Sequence, residues 1–151
     1  MPDRPLIEFR TGIGNKLQYA NGWLRAAARR GVRVRVVGSA PSLSALSQVL
    51  WTAGREDFLP HAWSGQDEAL PGIARTTVWL GGGPVAGPAP SQWLNIGDDM
   101  PGDLAGCERL VELVASTDDE VAAGRRRWAG YRRQGIEPRH HEAVGDDSPA
   151  A

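Results

Sequence analysis

Residues 6–37 read LIEFRTGIGNKLQYANGWLRAAARRGVRVRVV, and their periodicity decides the fold. LIEFRTGI, at residues 6–13, has the composition of a strand and is closed by Gly12 and Gly14. From residue 15 to residue 30 the period changes. Leu17, Ala20, Leu24, Ala27 and Ala28 recur at helical spacing, and Gly31 supplies the stop. VRVRVV, at residues 32–37, alternates and is β-branched, so it reads as a second strand. Residues 42–51 form a second helix with Leu43, Leu46, Val49 and Leu50 on one face. Strand, helix, strand, helix in this order implies a parallel, right-handed βαβ unit.

The rest of the chain extends this pattern. TTVWL at 76–80, QWLNI at 92–96 and LVELV at 110–114 are three more strands, and residues 118–134 are the last helix. Residues 54–75 show no period, a length of loop usually tied to function. GGGPVAGPAPS at 81–91 reads as flexible punctuation, and 98–107 as a turn with one short helix. The expected fold is a three-layer, Rossmann-like α/β domain over residues 1–136 with a mostly parallel sheet of about five strands. Residues 137–151 form a polar, frayed tail.

Composition narrows the function. A chain of 151 residues supports one domain with a sizeable core. Its net charge of −1 argues against a protein that holds nucleic acid by overall charge. Lys16 is the single lysine among 17 basic residues, so arginine carries the positive charge. Cys107 stands alone, which excludes an internal disulfide and a multi-cysteine metal site. No apolar run approaches a membrane span of about 20 residues, and MPDRPLIEF has no signal-like core. These features predict a soluble, cytoplasmic protein that does not contact a membrane.

The motifs that carry chemistry are weak. GIGNKL at 12–17 lacks the third glycine of a dinucleotide fingerprint and the ending of a phosphate-binding P-loop. Gly81-Gly82-Gly83 runs into Pro84 rather than a helix start. Asp98 and Asp99 are a lone acidic pair in a turn, better read as solvated or capping than as metal ligands. His140 and His141 fall in the polar tail, and His61 is the one histidine in the body of the chain. No catalytic group, metal or cofactor is expected. A small nucleotide-binding enzyme stays open on fold class alone, which is an analogy.

Two aromatic clusters point to docking instead. Trp51 lies about 130° around its helix from the apolar stripe, where a polar side chain belongs. Phe58 follows, with Pro60 and His61. Either these aromatics anchor a partner, or the long loop folds back and buries them. In the last helix, Val121, Gly124, Trp128, Tyr131 and Gly135 share a stripe, flanked within about 60° of Trp128 by Arg125 and Arg132. One reading is a helix packed on the sheet with arginine stems along its edge. The other is a groove with an apolar floor and a cationic lip, suited to a peptide bearing carboxylates and a hydrophobic end. Direct DNA binding by this helix is a third, weaker reading.

Three stretches resemble the chi subunit family of bacterial DNA polymerase III. They are LSALSQVLWTAGREDFLPH at 43–61, WLNIGDDMPGDLAGCERLVELV at 93–114, and RRRWAGYRRQG at 125–135. With the βαβ start, the resemblance runs over about residues 5–141. It implies a non-catalytic accessory subunit of the clamp-loader assembly that contacts DNA only indirectly. It also implies two partners. One is the psi subunit, or another protein such as an accessory helicase, at Trp51, Phe58, Pro60 and His61. The other is the acidic, Phe-terminated tail of single-stranded DNA-binding protein, at Val114, Arg125 and Trp128, to which helical phase adds Arg132. Val121 and Ala129 depart from the family pattern, which has basic residues there in some members.

Overall fold

The computed structural model describes residues 4–52 and 59–143. Among these residues seven strands form one sheet: β1 (Leu6–Ile13), β2 (Val34–Val37), β3 (His61–Trp63), β4 (Val78–Leu80), β5 (Gln92–Asn95), β6 (Arg109–Ala115) and β7 (Arg139–Glu142). Their order is β3-β4-β2-β5-β6-β1-β7, and every pairing is parallel. Six interstrand spacings separate the outer strands, about 29 Å. Among the described residues, three α-helices cover the sheet: α1 (Lys16–Arg29), α2 (Ala40–Thr52) and α3 (Asp118–Arg133).

Side-chain alternation sorts the core into two layers. Val34, Val36, Val78, Leu80, Leu94 and Val111 meet Tyr19, Leu24 and Leu46 on the α1 and α2 side. Ile7, Phe9, Trp93 and Leu110 meet Tyr131 and Ile136 on the α3 side. Parallel strands buried on both faces should be apolar throughout, and most of these are. Asn15 accepts from the Gln18 amide to start α1, as a short polar side chain does at a helix N-cap. Gly135, at φ +82°, ends α3 in a conformation costly for any residue with a Cβ.

The three-layer α/β expectation agrees with this architecture, but the strand count was low. β3 lies inside the aperiodic stretch and is only three residues long. β7 lies in the expected tail: RHHE pairs with Glu8–Thr11 of β1, and Ala143 N–H extends the ladder to Thr11 O at 2.8 Å. Its polar composition hid it, because its four residues are exposed and no apolar alternation marks them. Residues 98–107 form turns without a helix.

The glycine- and proline-rich stretch 81–91 is pinned, not loose. Arg33 donates to the carbonyls of Pro88, Ala74, Thr76 and Ala86. Arg35 donates to those of Gly81 and Gly83 and lies 5.6 Å from the Trp93 ring centre. The arginines of VRVRVV thus tie the β4–β5 connection to β2.

Candidate functional site: a groove between the last helix and the sheet edge

The orientation of α3 is set from below. Glu112, in the middle of β6, is fully buried. Arg127 Nε donates to its Oε1 at 2.8 Å, and Tyr131 O–H donates to its Oε2. Asn95 of β5, in register with Glu112, donates to both carboxylate oxygens at 3.0 and 3.1 Å. Arg127 also reaches the carbonyls of Asp98 and Leu113. Burial pushes the Glu112 carboxyl above its ordinary range, opposed by the charge of Arg127 and the three donors. Burial likewise pushes the Tyr131 phenol up, and the neighbouring Glu112 charge adds to it. Arg127 and Tyr131 are one helical turn apart, so both lock the same face of α3 to the sheet.

That lock leaves Gly124 and Trp128 beside a groove of about 530 Å³. Its floor is Phe9, Val114, Gly124 and Trp128. The Phe9 and Trp128 ring centres are 5.1 Å apart and tilted by 59°. Gly124 relieves the contact with Val114: a Cβ would sit 2.9 Å from Val114 Cγ2 and 3.1 Å from Cγ1. Arg125 and Val121 line the α3 side, and Thr11 and His140 line the opposite side. Thr11 Oγ1 and His140 Nε2 are 2.6 Å apart.

The groove therefore brings together three of the four residues expected there: Val114, Arg125 and Trp128. Arg132 is not among its lining residues. It extends into solvent and pairs with Glu137 at 3.5 Å, a contact between two exposed groups. Phe9, Thr11 and His140 were missed. Phe9 was visible in principle, as an apolar residue between Glu8 and Arg10 in β1. His140 was hidden with β7 itself.

The second aromatic cluster sits at the opposite sheet edge. Trp51 ends α2 with 56% of its surface exposed, edge-on to His61 at 6.0 Å between ring centres. Among the described residues that follow, Leu59 is buried, its N–H bonding Leu50 O at 3.0 Å, and Pro60 is exposed. His61 Nδ1–H donates to Leu59 O at 2.7 Å, and its Nε2 is hydrogen-bonded to Ser47 Oγ at 2.8 Å. Phe58 lies outside the described residues.

A second cavity, about 790 Å³, opens at the C-terminal ends of β2 and β5, from which the chain runs to opposite sides of the sheet. This is the switch point where an open α/β sheet ordinarily takes a ligand. Its floor is tight, since a Cβ on Gly97 would lie 3.0 Å from Gly38 Cα. Asp98, Asp99, Asp103 and Glu120 line it, with Lys16 as the one cation among the described residues. Lys16 Nζ is held by both oxygens of Glu120 at 2.8 and 3.0 Å. Such a lining repels a polyphosphate. Among the described residues no three His, Cys, Asp or Glu side chains converge as metal ligands, and no helix is long and apolar enough to cross a membrane.

The family model described as DNA polymerase III chi subunit, HolC, matches residues 6–139. No curated protein matches the chain.

Proposed function

The chain belongs to the DNA polymerase III chi subunit family, an accessory component of the replicative polymerase holoenzyme, and from that premise we propose that it is a two-faced docking adaptor. One face takes the acidic, Phe-terminated tail of single-stranded DNA-binding protein. The other joins the clamp loader through a psi subunit or an equivalent partner.

The observation that carries this reading is the groove. Its floor combines two aromatic rings with the space left by Gly124, and Arg125 stands at its edge. An apolar floor suits a terminal aromatic ring, and a guanidinium suits a carboxylate. The second face is supported by Trp51, a large exposed aromatic beside Pro60 and His61. Phe58 belongs to this proposed surface on sequence grounds.

The test is binding of an acidic hexapeptide ending in Phe, followed by fluorescence anisotropy. Arg125→Ala and Trp128→Ala should each weaken it by ten-fold or more. Added salt should weaken it too, because screening shortens charge attraction to about 10 Å at 0.1 M. Unchanged affinity in both variants removes the tail from this groove. For the second face, Trp51→Ala should abolish capture of a partner from native extract while leaving peptide binding intact.

A further inference from the structure

β7 gives the groove a wall that ends in a histidine. His140 is in register with Phe9, so its side chain falls on the α3 side of the sheet, where the groove lies. Thr11 Oγ1 holds Nε2 at 2.6 Å, which fixes the ring's orientation. When the Thr11 hydroxyl donates to Nε2, the neutral ring carries its proton on Nδ1. That Nδ1–H is bonded to nothing among the described residues. When the ring is charged, both nitrogens donate.

The charges around His140 are few. On its own face stand Arg125 from α3 and Glu142 two residues along β7. Arg139 and His141 point to the other face, with Glu8 and Arg10 of β1. Burial works to raise the Glu8 carboxyl, but Arg109, Arg10 and His141 together hold it below its ordinary range. His141 is therefore engaged on the far side of the sheet, and His140 alone is turned toward the groove.

We infer that His140 is a second carboxylate-binding side chain of this groove, set on the wall opposite Arg125. The inference rests on the docking reading above and names a recognition element within it. A ligand whose terminal ring lies over the floor made by Phe9 and Trp128 has α3 on one side and β7 on the other. Its carboxylates then meet Arg125 from one wall and His140 from the other. Arginine stays charged throughout, whereas histidine is the side-chain type whose ordinary charge change falls between pH 8 and 5. A charge-assisted bond is roughly twice as strong as a neutral one, so binding should tighten about five-fold over that range.

The experiment uses the full chain and a fluorescein-labelled peptide, Asp-Asp-Glu-Leu-Gly-Phe, with a free C-terminal carboxylate. Affinity is measured at pH 7.8 and 5.8 at constant ionic strength. The parent protein should bind about five-fold tighter at the lower pH. His140→Gln should bind at pH 7.8 and show no tightening. His141→Gln should keep the full response. Tightening that survives in His140→Gln, or none in the parent protein, overturns the inference and leaves the docking reading standing. No binding by the parent protein at either pH overturns both.

Discussion

Arg127→Met should destabilise the protein more than any change at the groove surface. The substitution keeps most of the volume but removes the guanidinium that faces Glu112, both groups being almost fully buried. Breaking a buried ion pair from one side costs about 3–5 kcal/mol, because the remaining charge is left without its counter-charge. For a domain near 150 residues, each kcal/mol lowers Tm by about 2–4 °C, so the drop should be roughly 6–20 °C. The pH dependence supplies a sharper check. Burial already raises the Glu112 carboxyl, and losing Arg127 raises it further. A folded-state pKa above the unfolded value means that stability is fully present below the unfolded carboxylate range and is lost as pH rises through the folded value. The deficit of Arg127→Met against the parent should therefore narrow between pH 8 and pH 5. Urea titrations at both pH values measure it. A double-mutant cycle with Glu112→Gln should give a coupling of at least about 2 kcal/mol. A deficit below about 1 kcal/mol, or one that widens as pH falls, would refute the view that this pair locks α3.

Three other outcomes follow from the same geometry. Gly124→Ala gains about 1 kcal/mol of helix preference and loses about 1–3 kcal/mol to the clash with Val114, so stability should fall by no more than about 2 kcal/mol. Its peptide affinity should nevertheless drop several-fold, and unchanged affinity would show that this part of the floor is not used. Burial works to raise the Glu120 carboxyl, but Lys16, the Ala115 N–H and Asp98 hold it low, so its contribution is present above the ordinary carboxylate range and lost as pH falls through its folded value. Glu120→Gln should accordingly flatten the loss of urea resistance between pH 5 and pH 3; an unaltered slope counts against the bridge. Burial pushes the Cys107 thiol up to about 12, so a thiol reagent at pH 8 should label the native protein far more slowly than the urea-unfolded chain. Equal rates would contradict that burial.

The elements that make the core were legible because their periods are strong. LIEFRTGI, VRVRVV and LVELV are β1, β2 and β6 within two residues, and α1 to α3 fall where the apolar spacing put them. β7 was not legible because its order comes from the edge of β1, a long-range partner that leaves no mark on RHHE. β3 was lost for a related reason: three residues are too few to show alternation. At the site, helical phase set Arg125 and Arg132 beside Trp128 but gave no sign that Arg127 is the buried arginine. A hint existed in the strands. Asn95 and Glu112 are polar residues inside apolar runs, and they prove to be direct neighbours across β5 and β6. Two such residues call for a third polar group, which α3 supplies. Arg132 was misplaced because angular closeness to Trp128 says nothing of how long side chains lean, and this one leans toward Glu137.

The breadth of the sheet has a consequence for assembly. Trp51 contacts His61 at the β3 edge, and the groove lies against β7, with five strands between them. A protein seated at the first edge and a peptide at the second are confined within about 29 Å of each other by a hydrogen-bonded slab rather than a flexible tether. One molecule in a sphere of that radius corresponds to an effective concentration on the order of 10 mM. On the proposed docking reading, each bound partner thus remains at millimolar supply in the other's neighbourhood, even when both contacts with this chain are weak and short-lived. Exchange at one edge need not end association at the other, so the complex can be rebuilt without dispersing its parts.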